Sequence, residues 1–204
     1  MPEEQQLASD AEIERRLHEL MSPIGGGPHL RDRERALDFL LEHAEQSHPR
    51  LLTALRANPT ALNAPAIIEV LPLFGLEDSL PLLEEIMFLG AEIISRSAGL
   101  ALGRHPSAEA GPALLRGLQS EQAETIISAA DGLAMRTDIN ACDELVDQLR
   151  HDNATVRHHV LQAADKLRCV GPTELANLAA VDPDVDVRSL ATNLMSINRS
   201  EPPA

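Results

Sequence analysis

The sequence predicts an all-α fold of about five to six stacked helix pairs. Three observations predict it: a core without aromatics, a short segment recurring at a fixed interval, and turn residues placed between the recurrences. Among 204 residues there are three Phe and no Tyr or Trp. Core volume must therefore come from Leu, Ala, Ile and Val. Leu and Ala are strong helix formers, and closely packed helices use small and aliphatic side chains better than a sandwich or barrel does.

The recurrence is clearest near the C-terminus. Asp152-Asn-Ala-Thr-Val156-Arg157-His-His-Val160-Leu-Gln-Ala163-Ala164 is followed by Asp184-Val-Asp-Val187-Arg188-Ser-Leu-Ala191-Thr-Asn-Leu194-Met195. Tracing the same interval backwards gives anchors at Ala66, Ile94, Thr125, Val156 and Val187, spaced 28, 31, 31 and 31 residues apart. Taking each anchor as the first position, positions one, five, eight and nine are nearly all small or apolar. These positions share one stripe of a helix, here designated helix A.

A second helical stretch, helix B, follows each A helix except the last. Leu82-Leu83-x-x-Ile86 corresponds to Leu114-Leu115-x-x-Leu118, to Leu145-Val146-x-x-Leu149 and to Leu175-x-x-Leu178. Gly111-Pro112 and Gly171-Pro172 open two of these stretches. Proline at a first helical position loses nothing, because its missing N–H had no partner there. Gly103-Arg-His-Pro106, Arg136-Thr-Asp138, His151-Asp-Asn153 and Asp182-Pro-Asp184 read as turns.

The chain divides into three parts by this reading. Residues 1–30 hold an amphipathic helix over 11–21, with Ile13, Leu17, Leu20 and Met21 on one side, and a Gly/Pro linker, Ser22-Pro-Ile-Gly-Gly-Gly-Pro28. Residues 31–198 form the repeat domain, beginning with a degenerate pair over 31–57, and 199–204 form a frayed tail. The N-terminal helix either caps the repeats or docks elsewhere.

Asp152 to Arg157, its counterpart at Asp184, Val187 and Arg188, and Ala101-Leu-Gly103 together resemble the HEAT-repeat family, including its phycobilisome-lyase-like subgroup. The resemblance spans roughly residues 31–198. It implies a right-handed α-α superhelix, a HEAT-like solenoid, with A helices on the convex side and B helices on the concave side, where partners commonly sit. It also implies a ladder between units, joining the turn Asp to the Arg of helix A. Ile67, Ser95 and Ile126 occupy that Arg position in the earlier units, so the ladder should be broken in the N-terminal half.

On this frame the outward B-helix positions are Glu84 and Glu85, Arg116 and Gly117, Asp147 and Gln148, and Ala176 and Asn177. Glu77, Asp78, Glu109, Asp143 and Glu144 lie nearby. The expected binding face is therefore acidic: Glu77, Asp78, Glu84, Glu85, Glu109, Asp143, Glu144 and Asp147. Such a face attracts a basic segment of another protein, with charge setting on-rate and selectivity. The competing reading is an ordinary solvated helix surface. A second candidate is apolar. Ile67-Ile68 and Ile126-Ile127 stand where later units have Arg-His and Arg-Ser. They are either an exposed homodimer face or residues packed inward by a small rotation.

Several chemistries are disfavoured. The net charge is −15, from 17 basic and 32 acidic residues, which repels nucleic acid. Missing Tyr and Trp remove the usual stacking platforms. A HEAT-like DNA glycosylase would want a basic, aromatic groove. A HEAT-like iron enzyme would want repeated His-Glu pairs, and only His18-Glu19 exists, outside the repeats. His158 and His159 project about 100° apart on a helix and do not readily share a metal. No GxSxG, P-loop or GxGxxG occurs, and Gly25-Gly26-Gly27 follows no strand. The expectation is a non-catalytic scaffold or adaptor without cofactor or metal. Its alternatives are an immunity or inhibitor protein and an accessory subunit of a phycobilin lyase. Cys142 and Cys169 show no metal spacing and no CxxC, which fits free thiols in a reducing compartment. An inter-repeat disulfide is the lesser alternative. No signal-type apolar segment and no membrane-length apolar run appears. The expected location is the cytoplasm.

Overall fold

The computed structural model describes residues 8–22 and 27–198. Among the described residues there are twelve α-helices and no strand. The proposed tail at 199–204 and most of the Gly/Pro linker lie outside them.

The N-terminal helix α1 (Asp10–Met21) starts at Ser9, whose side chain accepts from the Glu12 N–H. This satisfies one of the four N–H groups that a helix start leaves unpaired. Its Ile13, Leu17 and Leu20 recur at helical spacing and are fully buried. They face α2 (Gly27–Glu42), α3 (Ala44–Ala57) and α4 (Ala64–Phe74). Gln46 closes the contact from α3 by bonding both Ala8 N–H and Ala8 C=O. The N-terminal helix is thus part of the packed body. Helix α2 begins at Gly27, inside the stretch expected to be linker. Pro28 fits there because the first helical turn needs no N–H donor. Helices α2 and α3 occupy the region of the degenerate pair expected over 31–57, and α3 runs through Pro49.

From α4 onward helices alternate as expected. The A helices are α4, α6 (Glu92–Arg104), α8 (Ala123–Leu133), α10 (Ala154–Lys166) and α12 (Val185–Asn198). Each packs on the next A helix in chain order. The B helices are α5 (Leu80–Met87), α7 (Ala110–Leu118), α9 (Cys142–Gln148) and α11 (Pro172–Val181). A 3₁₀ turn, Glu77–Ser79, leads into α5. Helix α5 packs on α6, α7 on α8, α9 on α10 and α11 on α12, while α5 touches α7 and α7 touches α9. Local turn chemistry sets two of these helix ends. Gly75 adopts φ 66° after α4, and Asn153 accepts the Thr155 N–H to start α10.

The anchor stripe is the core in the middle units. Ala98, Ala101, Leu102, Thr125, Ala129, Gly132, Leu133, Val156, Val160, Ala163 and Ala164 are all buried. The eighth position is Ala101, Gly132 and Ala163 there, but Leu73 and Leu194 in the outer units. Leu73 is 58% exposed and Leu194 half-buried. Small residues stand where two A helices run closest. A β-carbon on Gly132 would lie 2.3 Å from the Gly99 carbonyl oxygen, and one on Gly99 would lie 2.2 Å from the Ser128 oxygen. Helices α6 and α8 therefore meet backbone to backbone, a contact only glycine permits.

One open choice is resolved here and one expectation corrected. Ile67, Ile68, Ile126 and Ile127 are buried, the inward-packed alternative, so they make no exposed dimer face. Arg157, which stands at the same position as Ile67 and Ile126, is likewise buried. The cysteines are not free thiols: Cys142 and Cys169 form a disulfide, with Cα atoms 4.9 Å apart. The units stack so that the turn entering α9 meets the turn leaving α10, which brings together two residues 27 apart in sequence. No described helix is long and apolar enough to cross a membrane.

Candidate protein-docking face

The B helices expose some of the residues between their buried leucines. On α5, Leu82, Leu83 and Ile86 turn inward, Glu85 is exposed and Glu84 half-buried. On α7, Leu114 and Leu118 are buried and Arg116 is exposed, while Gly117, expected to face outward, is buried against Met87 and Ala129. On α9, Leu145 is buried, as is Leu149 just after it, with Asp143 and Asp147 exposed and Glu144 half-buried. Glu109 is exposed just before α7.

The acidic residues fall into three groups. Glu84 is tied to Arg116 of the next unit through two bonds of 2.6 and 2.8 Å. Its charge is matched, and the guanidinium is held firmly in its protonated form by that pairing. At the turn edge, Glu77 accepts from the Ser107 hydroxyl at 2.7 Å, and that hydroxyl accepts the Glu109 N–H. Asp78 is exposed, 3.4 Å from the ring of the fully buried His48. The third group is α9 itself. Asp147 lies 3.9 Å from Arg150, an exposed pair worth little. Gln148 donates to the Leu118 carbonyl at 2.8 Å, fixing α9 against α7.

Behind this face the turns are held by buried arginines. Arg157 donates to the carbonyls of His151 and Asp152 and makes a bidentate pair with Asp182 at 2.8 and 2.9 Å. Arg188 repeats the gesture on the carbonyls of Asp182 and Pro183. Burial pushes the Asp182 carboxyl up, but the bonds from Arg157 and the Asp184 N–H outweigh it and hold it below the usual aspartate range. In the earlier units, Ser95 and Thr125 instead bond the carbonyls of Ile86 and Met87.

Arg136, which the repeat pattern did not single out, performs the same task from a different position. It donates to the carbonyls of Leu102, His105 and Ser107 and pairs with Asp138. The only sequence signal for it was the Arg-Thr-Asp turn. A second buried cluster was likewise missed. His105 bonds the Leu76 carbonyl and Ser79 hydroxyl through Nε2, and its Nδ1 accepts the Ser107 N–H. His48 packs against Phe74 with ring centroids 5.3 Å apart. Burial holds both imidazoles below the usual histidine range.

The histidines weighed as ligands have other partners. His151 accepts the Asn153 N–H, His158 contacts Gln162, and His159 pairs with Asp131 at 2.9 Å. Arg96 meets the other oxygen of Asp131 at 2.9 Å, so one carboxylate links α6, α8 and α10. Among the described residues no group of three or more His, Cys, Asp or Glu is placed to hold a metal ion. No protein-family model matches the chain, and no curated protein matches it in sequence.

Proposed function

We propose that the chain is a non-catalytic scaffold, a right-handed HEAT-type solenoid that docks a basic protein segment on its acidic B-helix face. The contact order supports the solenoid reading, with A helices following one another and B helices alongside. The observation that carries the docking reading is the set of exposed carboxylates on α5, just before α7 and on α9. Glu85, Glu109, Asp143 and Asp147 are exposed, while Arg116, also on that face, is already matched by Glu84. The face keeps net negative charge, which accelerates encounter with a cationic partner.

A fluorescent decalysine peptide serves as the probe, with a neutral peptide of equal length as control. Binding to the lysine peptide alone, weakening steeply with salt, is the expected result. Reversal of α9 (Asp143→Lys, Glu144→Lys and Asp147→Lys together) should weaken it at least about tenfold. Equal affinity in the reversed variant, with its helical signal intact, removes this face as the docking site.

A further inference from the structure

We propose that Cys142–Cys169 is a thiol–disulfide exchange site, reducible by dithiols, whose state sets whether α9 is ordered. Helix α9 is the shortest α-helix among the described residues. It has seven residues, too few for a helix to persist by itself. The neighbouring B helices α5 and α7, only slightly longer, bury five and six residues respectively, whereas within α9 only Leu145 is buried. The stretch from Ala134 to Ala141 that leads into it contains no helix. At its entry the Cys142 N–H has only the Asn140 side chain, at 3.2 Å. The bridge from Cys142 is the covalent hold on that end.

The partner cysteine sits on a firmer base. Helix α10 ends with Arg168 at φ 59°, the left-handed conformation that closes a helix, and Cys169 N–H returns to the Ala164 carbonyl at 2.7 Å. This closure carries Cys169 over Cys142 independently of the bridge. Opening the bond therefore leaves α10 capped, while α9 loses the hold on its first turn and keeps the buried Leu145 and the Gln148 bond to the Leu118 carbonyl. Both cysteines are half-buried and line an open groove with Asp138, Asn140 and Lys166, so a small dithiol reaches the sulfurs without unfolding.

In the exchange, a dithiol thiolate attacks one sulfur and the S–S bond breaks. The released cysteine leaves as a thiolate and takes a proton from water. The second thiol of the reagent, deprotonated, then displaces the remaining cysteine and closes a cyclic disulfide. Two electrons pass from the dithiol to the protein, which ends with two thiols. Because α9 carries Asp143, Glu144 and Asp147, reduction should loosen part of the acidic face. This last consequence rests on the docking reading above.

The full chain is compared oxidised and after dithiothreitol at neutral pH without denaturant. Mass spectrometry should show a gain of two hydrogens. Amide exchange over residues 141–150 should quicken at least about tenfold, with 110–118 unchanged. A Cys142→Ser/Cys169→Ser variant should match the reduced protein and ignore dithiothreitol, and if it does not fold the reduced wild type carries the comparison. A bridge that opens only in denaturant overturns the proposal. So does unchanged exchange in α9, or equal acceleration in α7 and α9. The decalysine probe separates the two readings. Weaker binding after reduction supports the link, and equal binding to both forms with a loosened α9 overturns the link. Binding to neither form overturns the docking reading, while the exchange arm still decides this one.

Discussion

Buried charge in this chain is concentrated where one turn rests on the next, and Arg157 with Asp182 is the densest case. Their side chains are 7% and 3% exposed, so removing either leaves the other buried without its opposite charge. Asp182→Ala should destabilise the protein by about 3–5 kcal/mol, read from urea unfolding. Replacing both with leucine should cost far less than the two single changes together, because no lone charge remains. Additive losses would show that the pair is not a unit. The histidines act in the opposite sense. Burial holds His48 and His105 below the ordinary histidine value of 6.5, against the opposing pull of Asp78 on the first and of the Leu76 carbonyl and Glu77 on the second. As pH falls through 6.5 the unfolded chain takes up protons that the folded chain resists, so stability present above that value is lost on acidification. The lowered carboxyls of Asp138 and Asp182 titrate below 3.8 and do not contribute to that window. Unfolding midpoints should therefore drop between about pH 7.5 and 5.5, and His105→Gln should flatten the slope. A flat wild-type profile across that range would remove the buried imidazoles as its cause.

Individual helices differ in how tightly they can be changed. The contact between α6 and α8 leaves no space for a methyl group: a β-carbon on Gly132 meets backbone at 2.3 Å and the Leu114 side chain at 2.6 Å. The helix propensity of alanine favours Gly132→Ala by about 1 kcal/mol, but overpacking against fixed backbone costs about 1–3 kcal/mol or more. The second effect wins because the atoms that must yield are main chain, so thermal unfolding of the alanine variant should occur several degrees lower. A midpoint equal to or above wild type would mean that the two helices can part without loss. For the disulfide the unfolded state matters more. A loop closed across 27 residues is worth about 3–4 kcal/mol in the chain-entropy account. Reduction should lower the midpoint accordingly, and a reduced protein as stable as the oxidised one would show that the bridge restrains nothing the fold does not already restrain.

For the molecule as a whole, what could be read in the sequence was whatever repeats along the chain. The apolar anchors and paired leucines announced the helices, because a stripe that must be buried leaves a periodic mark. The broken Arg position was equally legible at Ile67, Ser95 and Ile126. What escaped were contacts fixed by which turn lies on which. Arg136 reaching the carbonyl of Leu102, His48 beside Asp78, and Cys142 meeting Cys169 all join residues 27 to 34 positions apart. Glu84, Glu85 and Asp147 fall on B helices as expected, but Gly117, expected outward, is buried, and the tie between Glu84 and Arg116 depended on side-chain reach between units. The same neighbour-by-neighbour packing predicts an uneven stability. Helices α6 and α8 are flanked on both sides and bury six of 13 and eight of 11 residues, while α11 buries only Leu175 and α12 packs chiefly on α10 and α11. In a row where each unit is stabilised by its neighbours, opening begins where one neighbour is missing. Native-state amide exchange should therefore be slowest in α6 and α8 and fastest in α11 and α12, with low denaturant opening the C-terminal pair before the middle. Uniform protection across α4 to α12, lost in a single step at one denaturant concentration, would mean that the units unfold as one block and that nearest-neighbour coupling does not govern this chain.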